Sequence, residues 1–265
     1  FHCPVCADYD GEEAPTCSED NRDGITFKVA ANLFMNGSAP PYPLPDGMMF
    51  TGDIGDKLRA VFREHNPYFA GSVVWKKTGM RALKLLSEGT DPRKDPYVTR
   101  ILDWLRDHQD EETGLWFPGG DLVNGMNGLL KMRYGTFDPC GMEIPQAEKI
   151  LTTILSIPEE GDGRFGEACA DWNGAGLLAD LGRRAPAFRD GIVQTYAHVL
   201  PAFIAKRDPV RGGLAMDPGQ KDGATLKSTY INAMSLLAIK YFLTGNDRGI
   251  DELFFMNALR KKLLA

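Results

Sequence analysis

Residues 104–116, WLRDHQDEETGLW, hold an arrangement that recurs along the chain. The apolar pair Trp104-Leu105 is followed by Gln109, then Gly114, then Trp116. The same order returns as Ile154-Leu155, Glu159, Gly163 and Phe165, and again as Phe203-Ile204, Asp208, Gly212 and Leu214. A fainter copy is Val61-Phe62, Asn66, Gly71 and Val73. The starts at 61, 104, 154 and 203 are spaced by 43, 50 and 49 residues. Self-similarity at such a period marks a repeat architecture, in which one supersecondary unit stacks on its neighbours because it cannot bury its apolar face alone.

Each part of the pattern has a structural reading. The apolar pair ends a helix on its buried face, the polar residue bonds free N–H groups at the start of the next helix, and the glycine permits a tight turn. The closing aromatic or aliphatic residue plugs the gap between neighbouring hairpins. Such a motif stabilises a fold and performs no chemistry by itself.

The rest of the chain reads as helix to match. Apolar positions recur at helical spacing over 53–65, 72–87, 96–109, 121–134, 145–157, 167–181, 187–207, 225–243 and 249–264, with Gly, Pro, Asp and Asn in the gaps. Only 24–34, GITFKVAANLF, is ambiguous between strand and helix. Residues 36–50 are too rich in proline and glycine for a regular element. The expected organisation is a leader and irregular link over 1–50, then an all-α domain over 51–265: an α/α toroid, or incomplete α/α barrel, of about four to five helical hairpins. With 265 residues, 43% of them hydrophobic, the chain can bury a substantial core.

The fullest copy is similar to the QW motif of the terpene-cyclase and protein-prenyltransferase superfamily, whose members are α/α toroids with an outer ring of helices leading into an inner one. Residues 212–237 resemble the glycine-rich turn and inner helix of prenyltransferase β subunits. Toroidal carbohydrate-active enzymes, among them uronide-cleaving lyases and unsaturated glucuronyl hydrolases, share the layout, so the fold does not choose the function. The chain departs from the prenyltransferase zinc site: Cys169-Ala170-Asp171 reverses the Asp-x-Cys order, and Ser228 stands where that family has histidine. The acidic motifs of terpene cyclases are absent as well. A carbohydrate-active enzyme of lyase or hydrolase type is therefore the first reading, isoprenoid chemistry the second, and a non-catalytic toroid that binds a partner through its mouth the third.

Three segments after the turns share an apolar residue, an asparagine and a small residue ahead of a Leu-Leu pair: Asn127-Gly128, Asn173-Gly174 and Asn232-Ala233. Asparagine is a mediocre helix former, so three at equivalent places need a reason. One reason is a ring of amides facing a ligand in a central cavity; the other is inter-helix hydrogen bonding where helices pack closely. Asn124, Asn127, Lys131 and Tyr134 form one stripe at spacings of three and four. Asp171 is the candidate general acid or base, because a carboxyl on a partly buried, amide-rich face can have a raised pKa; a helix-surface charge or an inner-helix salt bridge is the alternative. Trp172, Trp116, Tyr134 and Tyr230 supply aromatic faces for sugar rings. In an elimination, the asparagines would neutralise a uronate carboxylate while Tyr134 or Tyr230, aided by Lys131, takes the α proton. A hydrolysis would need a second carboxylate beside Asp171, and Glu167 is the nearest in sequence. On this reading Asp171→Asn abolishes activity with little loss of melting temperature.

The expected ligand is a small molecule or oligosaccharide. A net charge of −6 without a long basic run disfavours nucleic acid, and no apolar stretch reaches membrane-span length, so the chain is expected to be soluble. No cofactor is expected in the cavity. Cys3 and Cys6 have the spacing of a zinc knuckle, and His2 with Cys17 could complete a structural zinc tetrahedron, although the second close pair of such sites is missing. Free thiols or a disulfide in a loose leader are the alternative.

Overall fold

Helices begin where the sequence supplies caps. Asp53, Asn66, Asp95 and Asp121 each accept a backbone N–H from the first turn that follows, and Thr225 with Ser228 forms a capping box. These bonds satisfy donors that a helix start leaves without intrahelical partners. Pro67 and Pro96 stand at the first helical positions, where a missing N–H costs nothing. The computed structural model describes residues 19–44, 49–116, 121–160, 163–166, 168–210, 212–217, 223–246 and 251–264.

The elements are α1 (Glu19–Met35), α2 (Ile54–Glu64), α3 (Pro67–Ser87), α4 (Pro96–Asp107), α5 (Leu122–Met132), α6 (Asp138–Cys140), α7 (Ala147–Glu160), α8 (Ala168–Arg184), α9 (Arg189–Ala205), α10 (Leu226–Thr244) and α11 (Asp251–Leu264). A π-helical turn, Arg133–Phe137, joins α5 to α6. The fold is all-α; among the described residues there is no strand, only an isolated bridge between Arg207 and Leu214 across a turn. The ambiguous stretch 24–34 lies inside α1. No described helix is long and apolar enough to cross a membrane.

The helices pack in two layers, a layout compatible with an α/α toroid. α3, α5, α8 and α10 pack side by side as the inner row, and α2, α4, α7 and α9 pack behind them. The inner helices run in one direction, because partners keep register along them. Gly71 meets Gly128 and Gly79 meets Gly135; Asn127 meets Asn173 and Arg133 meets Asp180. α1 and α11 pack on each other and on α3, burying Phe27, Ala30, Ala31, Met256 and Leu259 with Trp75, Met80 and Leu83.

Three of the four turn copies are built alike. Gly114, Gly163 and Gly212 have φ of 71, 79 and 71°, the left-handed region that glycine enters without steric penalty. Asp110 N–H donates to Leu115 O at 2.6 Å and Gly114 N–H to Asp110 O at 3.0 Å; Asp208 N–H reaches Gly213 O at 3.1 Å and Gly212 N–H reaches Asp208 O at 3.1 Å. The faint fourth copy is not a turn. Gly71 sits within α3, where an added Cβ would overlap the Gly128 carbonyl, so it serves close helix packing.

The polar residue of the repeat acts differently from copy to copy. Asp208 behaves as expected, accepting Ala224 N–H at 3.3 Å just ahead of α10. Gln109 instead donates its amide to the carbonyls of Gly114 and Pro145 (2.8 Å for the latter), tying the turn to the approach to α7. Trp116 is buried and donates its indole N–H to Leu105 O at 2.6 Å, closing the end of α4. Trp116→Phe keeps the plug and loses that bond, leaving a buried carbonyl without its donor. The expected cost is about 1–3 kcal/mol in urea unfolding; an unchanged midpoint would show that the bond does not support the turn.

Candidate functional site

A cavity of about 490 Å³ lies between the inner helices and α1. That is within the range of about 300–1,000 Å³ usual for small-molecule sites. Lys28 and Asn32 come from α1, Tyr68 and Trp75 from α3, Lys131 from α5, Tyr134 from the π turn, Cys169, Trp172 and Asn173 from α8, and Lys227 and Tyr230 from α10. Because the inner helices are parallel, the N-terminal parts of α8 and α10 arrive together at one end, and Trp172, Lys227 and Tyr230 line the cavity there.

The π turn shapes one wall. A π-helical turn widens a helix by one residue, and such turns are frequent at functional sites. Here it separates two neighbours. Arg133, 2% exposed, lies between Asp138 at 3.5 Å and Asp180 at 3.2 Å, while Tyr134 stands in an edge-to-face trio with Phe27 and Trp75 at centroid distances of 5.8 and 6.0 Å. Gly135 makes room for this trio, since a Cβ there would overlap the indole of Trp75.

Lys131 is the chemically distinctive group. Its Nζ donates to Ser72 Oγ at 2.8 Å and lies 3.7 Å from the centre of the Tyr68 ring. Burial, followed by the charges of Lys28 and Lys76, lowers its pKa to about 8. A lysine in that state holds a substantial fraction of neutral amine near physiological pH.

The expected ring of asparagines dissolves into separate roles. Asn173 lines the cavity and donates to Asn127 Oδ1 at 2.7 Å, so Asn127 is spent on joining α5 to α8. Asn124 donates to Asp121 Oδ2 at 2.8 Å at the start of α5, a local cap, and is not part of the lining. Asn232 is fully buried: its amide donates to Ala215 O at 2.8 Å and Ser228 O at 2.9 Å. Trp116 belongs to the core and does not reach the cavity.

Asp171 is also placed away from the lining. Its Oδ2 pairs with Lys206 Nζ at 2.6 Å, both side chains having no exposure, and its Oδ1 accepts Phe165 N–H at 3.1 Å. Lys206 also donates to Asn232 Oδ1 at 3.1 Å. This network ties α8 to the ends of two repeat turns and to α10. Burial pushes the Asp171 carboxyl above the usual carboxylate range, with Lys206 and the Phe165 N–H opposing that shift. The upward shift expected from the sequence is present, on a side chain that is fully buried against Lys206.

Lys131, Tyr134, Trp172, Asn173 and Tyr230 are thus brought together, and Asp171, Asn124, Asn127, Asn232 and Trp116 are not. Sequence reasoning missed Lys28, Asn32, Tyr68, Trp75 and Lys227. Lys28 and Asn32 share a face at a spacing of four, and Tyr68 and Trp75 at seven, so helical spacing held the signal once α1 and α3 were known to face inward. His2, Cys3, Cys6, Cys17 and Glu167 lie outside the described residues. Among the described residues no group of three or more His, Cys, Asp and Glu side chains could hold a metal ion. Comparison with protein-family models, curated proteins and solved structures finds no match to this chain.

Proposed function

We propose that the chain is an enzyme acting on an acidic carbohydrate, with β-elimination at a uronate unit as its chemistry. The observation that carries this reading is the charge of the cavity wall. Lys28, Lys131 and Lys227 line it together, whereas the carboxylate that lines it, Asp138, is engaged by Arg133. A chain with net charge −6 that gathers lysines around an aromatic cavity is built to attract an anion there.

The chemistry follows from the same side chains. Ammonium groups beside a uronate carboxylate neutralise it and stabilise the charge that develops when the α proton leaves. Tyr134 or Tyr230 can take that proton once its own hydroxyl proton has passed to the free-amine form of Lys131, whose pKa burial lowers to about 8. The electron pair then forms the C=C bond, and the glycosidic oxygen departs from the β carbon and takes up the proton held by the Lys131 ammonium. Trp172 and Tyr68 offer flat faces for the sugar rings.

The test is a panel of uronic-acid polysaccharides followed by ultraviolet absorbance of unsaturated products. The expected result is absorbance with at least one of them, abolished by Tyr230→Phe or Lys131→Met. New reducing ends without absorbance would replace elimination by hydrolysis, and binding without cleavage would make the chain a binding module.

One observation favours isoprenoid chemistry as the second reading. Tyr68, Trp75, Tyr134, Trp172 and Tyr230 give the cavity more aromatic surface than the sequence led one to expect, and the lysines would suit a diphosphate. It is consistent with the likeness of the turns to QW repeats. Tight binding of a prenyl diphosphate, with none of an acidic oligosaccharide, would establish it over the first.

A further inference from the structure

We infer that Lys131 is a carbonyl-capturing amine, which forms an imine with a small carbonyl compound that also bears an anionic group. This rests on the reading of the cavity as an anion site and is independent of elimination.

The placement of Lys131 differs from that of the fully buried Lys206. Lys206 is clamped between Asp171 and Asn232, whose oxygens accept from its Nζ at 2.6 and 3.1 Å. Lys131 has a hydroxyl, Ser72 Oγ, and a ring face, Tyr68, as neighbours; among the described residues no carboxylate pairs with it. It is half-buried in the wall of a cavity large enough for a ligand, with Lys28 in the same lining. Partial desolvation beside other cations is the arrangement that leaves an amine nucleophilic near neutral pH. Lys28 and Lys227 would hold the anionic group of the ligand while the carbonyl carbon meets Nζ.

The reaction balances without a redox partner. The Nζ lone pair adds to the carbonyl carbon, and the carbonyl oxygen takes up a proton, giving a carbinolamine. Loss of that oxygen as water, with the remaining nitrogen proton, leaves the C=N bond. One amine and one carbonyl give one imine and one water. Tyr134 and Tyr230 line the same cavity and can carry the protons.

The experiment treats the full chain with glyoxylate and cyanoborohydride, which reduces an imine to a stable secondary amine, and maps labelled lysines by peptide mass spectrometry. Lys131 should be labelled at least about tenfold more than Lys28 or Lys227, in keeping with its half-buried place in the cavity wall beside a hydroxyl and a ring face. Labelling should climb with pH to a midpoint near 8. Propanal, which lacks the anionic group, should label it less, and Lys131→Arg, checked for fold by circular dichroism, should lose the site. Labelling of Lys131 no faster than of exposed lysines overturns the proposal. If glyoxylate quenches tryptophan fluorescence without leaving an adduct, the imine is refuted and the anion site stands; neither quenching nor adduct refutes both.

Discussion

Asp171→Asn is expected to lower stability by about 3–5 kcal/mol, a fall in melting temperature on the order of 10 °C for a chain of this size. The reason is the company the carboxylate keeps. Asp171 and Lys206 are both fully buried and 2.6 Å apart, so the amide leaves an ammonium group in the core without its counter-charge. Burial of both charges costs desolvation that their attraction offsets only in part, so a buried pair as a whole can stabilise little. That is compatible with a large single-variant cost, because breaking a buried pair and removing it are different operations. The double variant Asp171→Asn/Lys206→Met should therefore recover much of the loss. A wild-type melting temperature for Asp171→Asn would contradict this placement and return the residue to the catalytic role that its sequence context suggests.

Gly135→Ala should be the most damaging methyl group that can be added near the cavity. The new Cβ would occupy the position of the Trp75 indole edge, in a π turn whose neighbours Arg133 and Asp138 are held by buried ion pairs. The turn cannot shift without disturbing those pairs, so Trp75 must move and the Phe27–Trp75–Tyr134 trio comes apart. Overpacking of this kind costs about 1–3 kcal/mol or more, and here it also alters the cavity wall. The prediction is specific to one contact. In a Trp75→Ala background the penalty of Gly135→Ala should largely vanish, a non-additivity that a double-mutant cycle reads by chemical denaturation. Additive effects of the two substitutions would show that the glycine is needed for some other reason.

The repeat made the architecture legible because its residues act locally. Gly114, Gly163 and Gly212 set turns within a few residues of themselves, and an apolar stripe reports which face of a helix is buried whatever lies opposite. Gly71 matched the same spacing for a different reason, close packing against Gly128, and only the partner helix reveals that. The site was less legible for the same cause. Asn127, Asn173 and Asn232 occupy equivalent positions, yet the first two bond to each other and the third to backbone carbonyls, according to what each neighbour offers. Asp171 has the raised pKa that an isolated reading of its helix suggests, but Lys206, far along the chain, decides that it is structural. Of the stripe Asn124, Asn127, Lys131 and Tyr134, the last two line the cavity, because the end of that helical segment is itself the wall, and the first two are bonded elsewhere.

The central claim is that the space between the inner helices is an anion site for a sugar-sized ligand, with Lys131 in contact with it. Calorimetric titration with trigalacturonate and with its neutral methyl ester, on the wild type and Lys131→Met, tests this most directly. The account predicts binding of the acid, weaker binding of the ester, and a loss of about 1.5–3 kcal/mol for the acid on removing the lysine charge. Equal affinity for acid and ester, or acid binding that Lys131→Met leaves unchanged, would contradict it.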